Sequence, residues 1–107
     1  KLDTLASHVI EDSEGVCLAF GQYYARVGRC HLGRLTVSPA HRGQGVGRQL
    51  VNLLIQIGKE QLNLTESSLF VYADNLIAKR LYEHLNFKVT EYPDVMPMAA
   101  CLYMVQG

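Results

Sequence analysis

The run Leu35-Thr-Val-Ser-Pro-Ala-His-Arg-Gly-Gln-Gly-Val-Gly-Arg-Gln-Leu50 carries the strongest structural signal in this chain of 107 residues. It opens with strand-forming residues and reaches Pro39, which ends a strand because proline cannot donate to a sheet ladder. Gly43, Gly45 and Gly47 then alternate before a helical pattern begins. Glycines permit a close backbone approach, and the first turn of a helix presents unpaired N–H groups. The run therefore predicts a strand, an anion-binding turn and a helix, in that order.

The helix after the glycines is the clearest amphipathic pattern in the sequence. Its apolar residues at helical spacing are Val46, Leu50, Leu53, Leu54, Ile57 and Leu62. Asn63 is a suitable left-handed end for this helix. Gly58 lies inside the pattern at a cost of about 1 kcal/mol relative to alanine, so we expect close packing at that position.

Strand patterns flank this central unit on both sides. Upstream, residues 7–11, 16–24 and 31–37 are predicted strands, separated by turns at 12–15 and 28–29. Downstream, residues 67–72 predict a short buried strand, and 87–92 and 98–105 predict two more.

A second helix is predicted between these downstream strands, over residues 76–85. Asp74 or Asn75 can cap it, and Ile77, Leu81 and Leu85 form its predicted inward stripe. The order is therefore β-β-β-α-β-α-β-β, an α/β mixed sheet with helices packed on it. The central strand–helix–strand unit is predicted to be parallel. The chain shows no repeat or long linker, so we expect a single domain over residues 1–107.

Composition excludes several classes of protein. An apolar fraction of 49% and a charged fraction of 19% are typical of a globular domain. The longest apolar stretch, residues 95–105, is short and is interrupted by Pro97, which argues against a membrane span. Cys17, Cys30 and Cys101 form no CxxC pattern, so we expect no disulfide framework, no zinc site and a cytoplasmic location.

Charge is balanced overall but unevenly distributed along the chain. Ten basic residues match ten acidic ones, yet no carboxylate occurs between Glu14 and Glu60. The cations in that interval are Arg26, Arg29, Arg34, Arg42, Arg48 and Lys59. A locally cationic segment in a neutral protein indicates an anionic ligand, and a solvated charged face explains it equally well. Nucleic-acid binding is disfavoured because neither an aromatic platform nor an overall basic charge accompanies the arginines.

The alternating glycines match neither of two other phosphate-binding loop motifs. A P-loop requires Gly-Lys followed by Ser or Thr, whereas Arg48 and Gln49 follow Gly47 here. The dinucleotide fingerprint spaces its glycines as G-x-G-x-x-G, which this loop does not. A glycine turn that serves only strand-to-helix packing is the structural alternative.

Two blocks of the sequence resemble the signature of the GCN5-related N-acetyltransferase (GNAT) family. In that family a strand and a proline-containing turn lead to Arg/Gln-x-x-Gly-x-Gly/Ala, which Arg42, Gly45 and Gly47 match. The second block, Asn75-Leu-Ile-Ala-Lys-Arg-Leu-Tyr-Glu-His-Leu-Asn-Phe87, resembles the family's Asn-x-x-Ala-x-x-Leu-Tyr-x-x-x-Gly-Phe. Asn86 stands in the place of the glycine, which asparagine's tolerance of a left-handed backbone allows.

The resemblance implies a GNAT-like acyl-CoA N-acyltransferase fold, in which the family's fourth and fifth strands splay apart and admit acetyl-CoA. Main-chain groups of the splayed strand would pair with the pantetheine arm, and the glycine loop would hold the pyrophosphate. The expected coenzyme contacts are Leu35, Thr36, Val37, Arg42, Gly43, Gln44, Gly45, Val46, Gly47, Arg48 and Asn75. No metal is implied.

The resemblance also implies catalytic residues. Tyr82 would protonate the leaving thiolate, although a core tyrosine is the alternative, and the N–H of Val37 would stabilise the developing oxyanion. His31 occupies the position of a fourth-strand glutamate in the histone acetyltransferase branch, so it is the candidate general base. A strand histidine without a catalytic role, or a water chain reaching Tyr23 or Tyr24, are the alternatives. Phe70 stands where the ribosomal-protein acetyltransferase branch has a glutamate.

The function implied is acetyl-CoA-dependent transfer of an acetyl group to a primary amine of a small molecule or peptide, by direct attack in a ternary complex. The family's usual first strand and the two helices after it have no counterpart in these 107 residues. A non-catalytic acyl-CoA-binding module, or a fragment that needs a partner to complete the acceptor site, is therefore the alternative. We expect no nucleic-acid or membrane partner, and a homodimer stays open.

Overall fold

A six-stranded mixed sheet forms the centre of the protein, with its strands in the order β1-β2-β3-β4-β6-β5. The structure is a computed structural model that describes residues 6–107. Its elements are β1 (Ala6–Glu11), β2 (Cys17–Arg26), β3 (Arg29–Val37), α1 (Val46–Leu62), β4 (Ser67–Tyr72), α2 (Leu76–His84), β5 (Lys88–Val89) and β6 (Cys101–Gln106). A single turn of 3-10 helix, Pro39–His41, follows β3. The predicted order of strands and helices is confirmed.

Residues that were predicted to form turns or to end a helix do so in the structure. Asp12 begins the β1–β2 turn, where its Oδ1 accepts the N–H groups of Glu14 at 2.9 Å and Val16 at 3.0 Å. Asn63 ends α1 in the left-handed conformation, with φ 56° and ψ 47°. Asn86 also adopts a positive φ, of 70°, as its substitution for glycine requires.

Helix α1 packs closely on β2 and β3 because Gly58 has no side chain. A Cβ on Gly58 would overlap Cys30 Sγ and would lie 3.1 Å from Tyr23 Cγ. Leu50 and Leu54, on the same face of α1, are almost fully buried in the core. The expectation that close packing requires this glycine is confirmed.

Strands β3 and β4 run parallel, as predicted, but they pair over a short distance. Their register joins Cys30 to Ser67, His31 to Ser68 and Leu32 to Leu69, and it extends no further. Beyond these three pairs, Arg34 turns to a positive φ of 55°, and the β2–β3 register shifts at the same level. Residues 33–37 and 70–72 therefore border a gap in the sheet, which we call the wedge. The splay that the family resemblance implies is present.

The two faces of the sheet differ in what covers them. Side chains alternate between faces along a strand, so Cys30, which meets α1, and His31 point in opposite directions. The face to which Cys30 points is covered by the two helices, and residues of α1 and α2 belong to one core cluster. We call the opposite side the open face, and His31 lies on it.

Two expectations at the carboxyl-terminal end need correction. Ile77 is 87% exposed, so the inward stripe of α2 was wrong at that position, and Tyr82 is buried instead. The predicted strands 87–92 and 98–105 were wrong in extent, because β5 has two residues and β6 begins at Cys101. Pro93 and Pro97 lie between them and cannot donate to a sheet ladder.

Candidate functional site

A cavity of about 830 Å³ opens where the wedge, the glycine loop and α2 meet. The predicted site residues that line it are Leu35, Thr36, Val37, Arg42, Gly43, Gly45, Gly47, Arg48, Asn75 and Tyr82. Residues that are forty positions apart in the sequence thus come together at one site. Of the predicted set, Gln44, Val46 and His31 do not line it, and Val46 is buried in the core instead.

The glycine loop presents main-chain donors at the mouth of this cavity. Gly43 and Gly45 both have φ 81°, and Gly45 caps α1 in the left-handed conformation. Within residues 6–107, no protein acceptor takes a hydrogen bond from the N–H groups of residues 42–48. Free N–H groups at the positive end of a helix favour an anion, and phosphate suits them best.

The edge of β3 that faces the wedge offers a second set of main-chain groups. The N–H of Ser38 donates to Leu18 O on β2 at 2.8 Å. Because successive residues of a strand direct their main-chain groups to alternate edges, the N–H of Val37 faces the wedge. Leu35, two residues earlier, faces the same way. An extended ligand entering the wedge can therefore pair with β3 as an added strand would.

Arginines and the cap of α2 complete the polar part of the site. Arg42 and Arg48 are exposed at the cavity mouth, where they add positive charge to the loop. Asn75 caps α2, its Oδ1 accepting the N–H of Ala78 at 3.2 Å. The helix cap uses the side-chain oxygen of Asn75, so its –NH₂ group remains free to donate a hydrogen bond to a ligand.

Tyr82 stands at the inner wall of the cavity. It is 8% exposed, and its ring packs edge-on to Phe87 with 6.0 Å between centroids. Burial raises the pKa of the Tyr82 hydroxyl above its ordinary value. The group therefore stays protonated at neutral pH and is available as a hydrogen donor.

His31 lies behind the wedge, on the open face. It is 2% exposed, and its Nδ1 is 2.8 Å from Ser68 Oγ. Burial, and secondarily the charge of Arg26, lowers the pKa of His31 to about 4. The imidazole is therefore neutral at pH 7 and is a weak proton acceptor. Its role as a general base stays a prediction, which this environment disfavours.

Five lining residues were missed by the sequence analysis. These are Leu50, Val51, Ile77, Ala78 and Leu81, which form the apolar walls of the cavity. Leu50 and Leu81 belong to the predicted apolar stripes of the two helices, so the sequence marked them only as core, and Val51 was not assigned to either stripe. Ile77 lines the cavity and is 87% exposed, although its helical spacing assigned it to the core, so the sequence held no signal for its place in the site.

Other kinds of site find no support in the described part of the chain. Residues 6–107 hold no group of three His, Cys, Asp or Glu side chains arranged to bind a metal ion. Among the same residues, neither helix has the length and apolar character to cross a membrane. The cavity itself combines apolar walls with a cationic, donor-rich mouth, which suits an elongated ligand with an apolar arm and an anionic end.

Comparisons with known proteins agree with this geometry. The model of the acetyltransferase (GNAT) family matches residues 2–87. A Klebsiella pneumoniae protein provisionally assigned as an acyl-CoA N-acyltransferase has the same fold, with a TM-score of 0.83 and 18% identity over 99% of this chain and 74% of that one. No curated protein sequence matches the chain.

Two further solved structures share the fold. The ribosomal-protein-S18-alanine N-acetyltransferase from Escherichia coli has a TM-score of 0.76 and 22% identity, over 95% of this chain and 68% of that one. The PaiA N-acetyltransferase from Thermoplasma acidophilum, in complex with coenzyme A, has a TM-score of 0.74 and 19% identity, over 89% of this chain and 56% of that one.

Proposed function

The chain belongs to the acetyltransferase (GNAT) family, and from that premise we propose that it transfers an acetyl group from acetyl-CoA to a primary amine of a small molecule or peptide. Transfer occurs by direct attack in a ternary complex. One observation carries the proposal: the wedge between β3 and β4 is continuous with free N–H groups of the glycine loop. The proposed unit is one domain over residues 1–107. The free thiols of Cys17, Cys30 and Cys101 accord with a cytoplasmic protein.

Acetyl-CoA is proposed to bind along the cavity from its mouth to the wedge. The N–H groups of residues 42–48, with Arg42 and Arg48, hold the pyrophosphate. The pantetheine arm pairs with the wedge-facing edge of β3 at Leu35 and Val37, between the apolar walls. Asn75 contacts the coenzyme from α2 through its –NH₂ group. This arrangement brings the thioester to the narrow end of the wedge.

The chemistry proposed there conserves its atoms and protons. The amine nitrogen attacks the thioester carbonyl carbon, a C–N bond forms, and the C–S bond breaks. The N–H of Val37 stabilises the oxygen as it gains charge. Tyr82 gives its hydroxyl proton to the departing thiolate, whose ordinary pKa is about 8.5, and then regains a proton from solvent at the cavity.

The proton that the amine loses is proposed to leave across the open face. His31 stays the candidate acceptor, and its ring centroid is 5.4 Å from that of Tyr24. A water chain reaching Tyr23 or Tyr24 is the alternative. Because an imidazole with a pKa of about 4 takes a proton weakly, the amine should react mainly in its neutral form. The rate is then expected to rise with pH towards the pKa of the acceptor amine.

Two glycines with the same backbone conformation test the coenzyme site. Gly15 and Gly45 have φ of 82° and 81°, and a Cβ on either would meet no atom within 4 Å. Alanine at each is expected to cost about 1–2 kcal/mol of folding free energy, because both adopt a left-handed conformation. Only Gly45→Ala should weaken acetyl-CoA binding, by about tenfold as donors to the pyrophosphate are displaced. Calorimetric titration and thermal unfolding of both variants measure the two effects.

Equal acetyl-CoA affinity in the Gly15→Ala and Gly45→Ala variants would contradict this binding mode, and no binding by the wild type would contradict the function. Turnover is followed as free thiol released from acetyl-CoA in the presence of primary amines. Binding without thiol release across a broad amine panel would instead favour the non-catalytic coenzyme-binding module.

A further inference from the structure

An arginine surrounded by aromatic rings lies on the open face of the sheet. The Arg26 guanidinium carbon is 5.3 Å from the ring centroid of Phe70 and 5.9 Å from that of Tyr92. Its Nε donates to the Tyr92 hydroxyl at 2.9 Å. Hydrogen bonding to Tyr92, and more weakly to Tyr24, raises the pKa of Arg26 despite partial burial. We call Tyr24, Arg26, Phe70 and Tyr92 the arginine–aromatic cluster.

The cluster borders the narrow end of the wedge. Phe70 is the first residue of β4 beyond its last pair with β3, and Gly33 is the corresponding residue of β3. A Cβ on Gly33 would lie 3.3 Å from Tyr24 Cε1, so the Tyr24 ring covers this point of the strand. The cluster and the coenzyme cavity therefore approach the same end of the wedge from opposite faces of the sheet.

Arg26 has no acidic partner among residues 6–107. The two ion pairs in that part of the chain join Arg29 to Glu66 and Lys79 to Glu83. A guanidinium carries five N–H donors in a planar fork; Tyr92 accepts from one of them, and Tyr24 is a weaker partner. The remaining donors match the geometry of a carboxylate, which an arginine can bind through two parallel hydrogen bonds.

We infer that the arginine–aromatic cluster binds the acceptor through an anionic group, so that the preferred acceptors are primary amines carrying a carboxylate. This inference rests on the acetyl transfer proposed above. The thioester reaches the wedge from the helix side, so the amine approaches across the open face, where Arg26 lies. Arg26 attracts a carboxylate there and repels a second ammonium group.

A neighbouring groove supplies the competing possibility. It has a volume of about 270 Å³ and is lined by Glu91 and Asp94 together with Tyr92 and Tyr103. These carboxylates would attract a cationic acceptor instead. The two possibilities predict opposite orders of preference among acceptors that differ only in terminal charge.

Three amines with the same carbon chain provide the test: 5-aminovalerate, pentylamine and cadaverine. Their far ends are a carboxylate, a methyl group and an ammonium group. We expect kcat/KM to be highest for 5-aminovalerate, by about tenfold, the effect of one charge-assisted hydrogen bond. Arg26→Gln should abolish this preference and Arg26→Lys should retain part of it. Arg80→Gln, an exposed position on α2, is the matched control and should leave it unchanged.

Equal kcat/KM for the three amines, or a preference for cadaverine, would overturn the inference while acetyl transfer stands. If no amine is acetylated, the proposed function fails, and the inference is judged by NMR titration with 5-aminovalerate. Shifts of the Phe70 and Tyr92 ring signals that Arg26→Gln removes would support it, and unmoved signals would overturn it.

The same series includes Asp3→Asn, because Asp3 lies outside the described residues. An unchanged preference for 5-aminovalerate in this variant is the expected result. A carboxylate preference that emerges only in Asp3→Asn would show that an acid of the chain itself holds Arg26, and the inference would be wrong.

Discussion

Tyr82 combines burial with access to the cavity, which is what a proton donor to a thiolate needs. Its pKa is raised by burial, so it carries its proton over the whole working range of pH. Tyr82→Phe removes the hydroxyl and keeps the ring packed on Phe87. We expect kcat to fall by about 10²-fold, with acetyl-CoA affinity nearly unchanged. Initial rates of thiol release and calorimetric titration separate the two quantities.

Tyr72→Phe is the matched control for Tyr82→Phe. The main chain of Tyr72 borders the wedge, but Tyr72 is 54% exposed and does not line the cavity. It should leave both rate and affinity unchanged. A Tyr82→Phe variant with full kcat would assign the proton to another donor.

The low pKa of His31 predicts how the free energy of unfolding depends on pH. Its pKa is about 4 in the folded protein and about 6.5 when unfolded, so the unfolded chain binds more protons between these values. Stability is therefore unaffected by this group above about pH 6.5 and falls as the pH drops to 4, by about 3 kcal/mol in total. Denaturant unfolding from pH 7 to 4 measures the slope.

His31→Gln is the comparison for this slope, because glutamine keeps a hydrogen-bonding group towards Ser68 but does not titrate there. Its stability should fall less steeply than that of the wild type over the same range. Identical slopes would mean that His31 titrates normally in the folded protein.

Individual site residues differed in how much the sequence could predict. Gly45 and Asn75 could be predicted from the sequence, because local rules for glycine turns and helix caps identify them. The burial of His31 depends on Tyr24, Phe70 and Tyr103, which come from three other parts of the chain. The low pKa of His31 therefore had no local signal in the sequence.

The contact between α1 and the sheet depends on Gly58. Gly58→Ala gains about 1 kcal/mol of helix propensity but places a methyl group against Cys30 Sγ and the Tyr23 ring. Overpacking of this kind costs about 1–3 kcal/mol, so we expect a lower Tm in thermal unfolding. Cys30→Ala in the same chain should recover part of the loss.

Gly47→Ala is the control on the same helix, because its Cβ would lie 3.4 Å from Val37 Cγ2, an ordinary contact. Its Tm should not fall. Equal destabilisation at both glycines would mean that helix geometry, and not the contact with β2 and β3, determines the effect.

The helices and strands could be predicted accurately from the sequence where a periodic apolar pattern was followed by a residue that ends the element. Helix α1 and β4 have both, and their predicted extents match those observed. The apolar Ile77 was assigned to the core because periodicity cannot distinguish a side chain facing the core from one facing a ligand cavity. The wedge was implied by family resemblance alone, since the register between β3 and β4 depends on contacts between distant residues.

The whole molecule is electrically neutral, yet its carboxylate-free segment forms the mouth of the cavity through Arg42 and Arg48. Acetyl-CoA affinity should therefore weaken several-fold as ionic strength rises from 0.05 to about 0.5 M, because salt screens exposed charges. Arg48→Gln should lower the affinity at low salt and flatten this dependence. A salt-independent affinity in the wild type would contradict phosphate binding at the loop.

Only three residue pairs join β3 to β4, so the sheet has a seam that a bound cofactor would fill. A ligand that binds only the folded state stabilises it in proportion to the logarithm of its concentration. Proteases act on transiently opened chains, so a ligand that fills this seam should protect the chain from digestion. Limited proteolysis of the purified protein should then slow when acetyl-CoA is added.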